Sequence, residues 1–233
     1  RIILCSDPVK THLLCHIRFF VILIWKSITL PYLEKRSMAL LLASYPESLT
    51  LSLGQHWRDE NETGFRPSSI NIWWETGSLH VTAELQDDVV YTSATAFNQR
   101  LWERGDTFEM FLRPPGSDGY LELHVAPGNY RMQLRFPSAE TIRGLRDNTD
   151  SLDRYFVTEN LFESETELTP EGWRVHARIP HPDVRSGAEW GFSFCRYDTG
   201  MDIIAPVLSS TSEHTPERLD FHDQSVWNTV QLS

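Results

Sequence analysis

Between Phe108 and Phe136 the chain alternates apolar and polar residues in three successive runs separated by Pro/Gly segments. Phe108, Met110 and Leu112 share one side of the first run, and Leu121, Leu123 and Val125 share one side of the second. Tyr130, Met132, Leu134 and Phe136 form the apolar row of the third. A side-chain period of two belongs to strands with one face buried and one wet. The intervening segments, Pro114 to Gly119 and Ala126 to Asn129, have the chemistry of turns, since proline presets φ and glycine admits positive φ. The stretch therefore predicts a three-strand antiparallel meander. Its outward face would carry Glu109, Phe111, Tyr120, Glu122, His124, Arg131, Gln133 and Arg135 as cross-strand neighbours.

The same period governs the rest of the chain from Ser48 onward. It recurs at Leu49, Leu51 and Leu53, at Ile70, Ile72 and Trp74, and at Leu79, Val81, Ala83 and Leu85. Later runs are Phe162 to Leu168, with Glu163, Glu165 and Glu167 on the wet side, then Trp173, Val175, Ala177 and Ile179, then Trp190, Phe192 and Phe194. Val226 to Leu232 gives a last short strand. Pro180 and Pro182 end the strand before them, because proline removes a ladder donor. In Trp73-Trp74 one ring must point in and one out. Residues 137–153 and 209–223 are polar and aperiodic, the first with room for a short helical turn. Roughly ten strands and no long amphipathic helix predict an all-β, antiparallel β-sandwich, jelly-roll-like in character.

The charge is unevenly spread. The chain of 233 residues has a formal net charge of −11, but its first 37 residues hold six Lys/Arg against two Asp/Glu. The remainder is strongly acidic, which disfavours nucleic acid and anionic membrane surfaces as partners. Within residues 1–37 the longest apolar run is Phe19 to Trp25, short of the roughly 20 residues a membrane span needs. Nor does a signal-peptide pattern fit, so the cytoplasm is favoured over export. These residues are expected to be an extension outside the fold, with Met38 as the natural start and residues 38–233 as one domain. Cys5, Cys15 and Cys195 offer no disulfide framework.

Five segments taken in order carry a family resemblance: Leu79 to Asp87; Trp102 to Phe111 with Gly105-Asp106 and Glu109; Tyr120 to His124; Gly172-Trp173 through Ile179-Pro180; and Trp190 to Arg196. Together they resemble the family 9 carbohydrate-binding modules and the wider DOMON-like β-sandwich group, over roughly residues 70–232. The resemblance implies a domain that binds a ligand and does not catalyse, with a saccharide as partner, beside a glycosidase made elsewhere. It also implies a sugar held between aromatic rings, with charged groups bonding its hydroxyls. The C–H face of a pyranose stacks on indole, and its hydroxyls pair with charged planar groups. On this basis Trp102, in the loop before the Gly105-Asp106 strand, is the leading contact. Asp106, Glu109, Glu122, His124 and Arg131 are its polar companions. Candidates for a second aromatic wall are Trp173, Trp190 and Trp227.

The same residue types allow other chemistries. Glu109 and Glu122 on adjacent strands have the residue types of a glycosidase acid and base, but no sequence feature indicates a cleft between them. Asp147, Asp150 and Asp153 place oxygen ligands along one loop, as calcium prefers, but without the glycine and terminal glutamate of an EF-hand. No cofactor is expected unless calcium binds there. His176, His181, His214 and His222 lack zinc-ligand spacing. Some DOMON-like domains hold haem through Met and His, for which Met110, Met132 and Met201 are available. The remaining alternative is a structural or interaction domain with no small-molecule ligand.

Overall fold

The computed structural model describes residues 39–200 and 205–233. The expectations for residues 1–37, for Met38 as a start and for Met201 fall outside them. The described residues form twelve strands: β1 (Leu40–Leu42), β2 (Leu49–Leu53), β3 (Ser68–Glu75), β4 (Ser78–Gln86), β5 (Thr107–Arg113), β6 (Tyr120–Ala126), β7 (Tyr130–Phe136), β8 (Glu163–Thr169), β9 (Gly172–Pro180), β10 (Glu189–Asp198), β11 (Val207–Ser210) and β12 (Asn228–Leu232). One short helix, α1 (Thr141–Arg146), occupies the polar connection after the meander. Among the described residues no helix is long and apolar enough to cross a membrane.

The strands form two sheets. The seven-stranded sheet runs β1-β12-β10-β5-β6-β7, with β11 paired to the far half of β10, and the five-stranded sheet runs β2-β3-β4-β9-β8. All pairings are antiparallel except β1 with β12. The expected apolar rows meet between the sheets: Ile70, Ile72, Val81, Ala83, Trp173, Val175, Phe108, Met110, Leu123, Phe192 and Phe194 are all buried in one cluster. The fold is therefore the predicted β-sandwich, with β1 and β11 added at its margins.

Two features of the meander differ from expectation. The link Pro127–Asn129 pairs Ala126 with Tyr130, so Val125 faces Arg131 and His124 faces Met132. Gly128 (φ 76°) and Asn129 (φ 63°) take the left-handed conformation that such a three-residue link uses. Met132, Leu134 and Phe136 consequently share a side with Glu109, Glu122 and His124, while Arg131, Gln133 and Arg135 turn to the other. The second difference is coverage. The outer face of the seven-stranded sheet is not wet, because Phe111, Tyr120, Met132, Leu134, Phe136 and Cys195 lie in a second buried cluster. Ala94, Leu101, Ile142, Phe221 and Trp227 from the irregular connections pack over it. Among the described residues none roofs the outer face of the five-stranded sheet in this way: there Trp73 stacks on His80 and His176 with ring centres 5.2 and 5.9 Å away, and Trp74 is buried as its neighbour.

Candidate functional site

The covered face holds an ionisable cluster. Glu109 on β5 and Glu122 and His124 on β6 are brought together by the register Glu109↔His124 and Phe111↔Glu122. His124 is fully buried, its Nδ1 3.3 Å from Glu109 Oε1 and its Nε2 2.8 Å from Glu122 Oε1. The close contact is off the ring's N–H direction, so it acts as an ion pair more than as an aligned hydrogen bond. Burial, reinforced by Glu122, pushes the Glu109 carboxyl up to about 7 although His124 opposes the shift. Burial also works against the charge of Glu122, yet His222 and His124 outweigh it and hold that carboxyl below its ordinary value. Burial alone would neutralise His124, but the two glutamates raise its pKa. The cluster thus divides into a carboxyl that keeps its proton and a carboxylate–imidazolium pair.

This cluster floors a cavity of about 530 Å³. Trp102, in a single 3-10 turn at Leu101–Glu103, lines one side and sets its ring edge-on to His124 at 5.6 Å. Tyr197, Phe221, His222 and the exposed Leu219 line it from β10 and the segment before β12. Arg146 of α1 joins Asp220 by two bonds of 2.7 and 2.8 Å at the rim. Tyr120 bonds His222 Nδ1 at 2.8 Å, and Glu122 Oε2 lies 3.7 Å from the same nitrogen. That Oε2 atom is buried and has no hydrogen-bond partner among the described residues.

Of the six residues expected at a ligand site, the structure brings Trp102, Glu109, Glu122 and His124 together. Asp106 is elsewhere. Its carboxylate accepts from the Tyr91 N–H at 2.5 Å and from the Thr199 N–H and hydroxyl at 2.8 and 2.9 Å, with no surface exposed. Gly105 before it has φ 143°, and a Cβ there would lie 2.3 Å from the Tyr91 carbonyl oxygen, so the Gly-Asp pair is a packing requirement. Arg131 is also elsewhere, because the β7 register turns it away. It donates to the Phe162 carbonyl at 2.7 Å and lies over the Phe97 and Phe162 rings at 5.9 and 5.6 Å. Trp173 and Trp190 are in the inter-sheet core, and Trp227 packs behind Phe111 and Tyr120 at 5.7 and 5.3 Å. None of the three lines the cavity, whose second wall is Phe221 with Leu219 and Tyr197.

Asp147, Asp150 and Asp153 do not converge. Asp147 closes the end of α1, Asp150 accepts from Ser151, Arg154 and Tyr155, and Asp153 approaches Arg100 at 3.9 Å. Among the described residues the only three potential ligand side chains whose ligand atoms all lie within 4.8 Å of one another are Asp87, Asp106 and Asp198. Arg196 Nη2 sits beside it, 2.8 Å from Asp87 and 3.1 Å from Asp198, and its Nη1 reaches Ser68 and the Gln86 carbonyl. Arg196 thereby ties the two sheets together and supplies the counter-charge. Met110 is buried between the sheets and Met132 on the opposite side of the same sheet, so they cannot ligate one haem together.

No protein-family model and no curated protein sequence matches the chain. Solved structures do match its fold. A protein of Bacteroides uniformis assigned provisionally to carbohydrate binding is similar over 80% of this chain and 87% of its own, with TM-score 0.62 and 16% identity. A family 9 carbohydrate-binding module from Caldicellulosiruptor kristjanssonii, solved in complex with cellotriose, is similar over 84% of this chain and 93% of its own, with TM-score 0.55 and 15% identity. The β-sandwich described above thus shares its fold with these two structures, one of them a family 9 carbohydrate-binding module.

Proposed function

We propose that this domain binds a saccharide, without catalysis, in the cavity between Trp102 and Phe221. The observation that carries the reading is Glu122 Oε2, a buried carboxylate oxygen on the cavity floor with no donor among the described residues. An unsatisfied buried acceptor costs stability, and a ligand hydroxyl is the donor that would relieve it. Glu109, Arg146 and Asp220 offer further hydroxyl partners around it, and the half-buried Trp102 ring offers an apolar face for sugar C–H groups. Cellotriose in the similar family 9 module makes β-glucans the first ligands to try.

The geometry favours binding over hydrolysis. A glycosidase places the scissile bond between its two carboxyls. Here His124 stands between Glu109 and Glu122 and contacts both. Calorimetric titration of the full chain with cellotriose and a panel of neutral mono- and disaccharides tests the reading. Binding should be saturable and should be lost in Glu122→Gln, which replaces a charged acceptor by a neutral amide in the same volume. Absence of heat with every member of the panel would overturn it, as would release of reducing sugar during the titration.

A further inference from the structure

A second cavity, of about 500 Å³, shares no lining residue with the first. It opens beside the β5–β6 turn, where Pro114, Pro137, Pro180 and Pro182 line it together with Leu121 and Leu161. Proline rings have fixed φ and no rotamers to lose, so this wall is already formed before any ligand arrives. The volume lies within the ordinary range for a small-molecule site, roughly 300–1,000 Å³.

Two donors meet in this apolar setting. Arg135 lines the cavity because the β7 register turns it off the covered face. Among the described residues it has no carboxylate partner, although nine other arginines do. His181 lines the cavity as well, and its Nδ1 accepts the Asp183 N–H at 3.2 Å. Its proton therefore sits on Nε2, which is left as a donor. The ring is held edge-on by Trp190 at 4.9 Å. Burial keeps the imidazole neutral, and the nearby Arg135 charge works in the same direction against Asp183. The exposed Arg135 guanidinium, without a side-chain partner among the described residues, and the His181 N–H, beside proline and leucine walls, form a receptor for an anion attached to an apolar body. A monoanion suits it better than a phosphate, because each added charge raises the desolvation cost against apolar walls. The rigid C–H faces of the proline rings and the adjoining Phe136 ring favour a planar ring over a flexible chain.

We infer that this proline-walled cavity is a second ligand site, taking a small aromatic carboxylate whose acid group pairs with Arg135 and His181. Calorimetry or ligand-observed NMR with cinnamate, on the full chain, tests it. Cinnamate should bind with a dissociation constant near or below about 1 mM, and cinnamyl alcohol, the uncharged analogue, about tenfold or more weaker. Arg135→Glu should abolish cinnamate binding with an unchanged melting temperature. Asn160→Trp, which fills the mouth from an exposed loop position, should do the same if the charge reversal disturbs the fold. Trp102→Ala should leave cinnamate binding intact, which separates this site from the saccharide cavity. Equal binding of acid and alcohol, undiminished binding by Arg135→Glu, or no binding of cinnamate at all would each overturn the inference. Hexanoate binding as tightly as cinnamate would overturn its aromatic part.

Discussion

On the outer face of the five-stranded sheet, Arg174 reaches Glu84 at 2.5 Å and Glu167 at 2.9 Å, and all three side chains are at least 42% exposed. On the outer face of the seven-stranded sheet, His124 reaches Glu109 and Glu122 at 3.3 and 2.8 Å, and none of the three is more than 5% exposed. The residue types and the strand period are alike. What differs is the chain between the strands. The segments around Leu101, Ile142 and Phe221 fold over one sheet, and among the described residues no comparable cluster covers the other. Coverage converts a row of cross-strand charges from solvated decoration into a low-dielectric site, where each charge must find a partner or change its protonation.

The largest expected effect comes from removing the hub of the covered face. His124→Ala would leave the buried Glu122 carboxylate without its imidazolium partner, beside a second buried carboxyl at Glu109. Breaking a buried pair in this way costs about 3–5 kcal/mol. Urea denaturation near neutral pH should show the loss directly. A loss no larger than for a surface substitution would mean that the covered face is far wetter than its burial implies.

The pH dependence should have opposite signs on the two faces. Glu109 has its pKa raised from 4.5 to about 7 by burial, so the native state holds its proton more tightly than the unfolded chain. Its stabilising contribution is full below its ordinary value and is lost as pH rises through the folded one, on the order of 3 kcal/mol in all. His124, also raised, contributes in the same sense: full below 6.5, and lost as pH rises through its folded value. On the open face His80 is lowered from 6.5 by burial, against the pull of Glu75. Its contribution grows as pH rises toward 6.5 and is flat above. Glu109→Gln should therefore flatten the fall in stability as pH rises through about 7, and His80→Gln the rise in stability as pH approaches 6.5 from below, in urea titrations at several pH values. The same slope in both variants would dissolve the contrast.

Trp102→Ala sharpens the comparison at the level of binding. Its ring meets His124 and the cavity at once, so truncation should weaken saccharide binding about tenfold or more, the effect of losing an aromatic anchor. Trp73→Ala on the open face should leave the same affinity unchanged. A comparable loss in both would move the saccharide to the Trp73 platform.

Much of this architecture is legible in the alternation, and the exceptions are physical. Strand positions and the inter-sheet rows at Ile70, Val81, Phe108, Val175 and Phe194 follow from the period, because burial between two sheets imposes it. The facing of β7 does not, since it depends on three residues, Pro127 to Asn129, whose backbone conformation sets which rows meet. Asp87, Asp106 and Arg196 are conspicuous in the sequence as acids and a base at strand ends, but the network they enter is a structural clamp. Arg146, Tyr197, Asp220, Phe221 and His222 lie at the cavity without any pattern to announce them. Most come from aperiodic segments whose path is decided by what they cover. Local period encodes which side chains share a face; it carries no information on which face the connections will roof.

The smallest expected effect is the one that isolates coverage as the cause. Arg174→Ala removes two contacts at once, to Glu84 and Glu167, where His124→Ala also removes two. If charge pairing by itself stabilised the sheets, the two substitutions would have similar consequences. Exposed pairs return little, because water solvates the separated charges nearly as well as the pair and salt screens what remains. The Arg174→Ala protein should thus keep its melting temperature within the scatter of repeated scans, in low and in high salt, and should bind saccharide as the parent does. A clear drop at low salt that disappears at high salt would show that the acidic charges of β4 and β8 need Arg174 to coexist. Coverage would then be only part of the difference between the two faces.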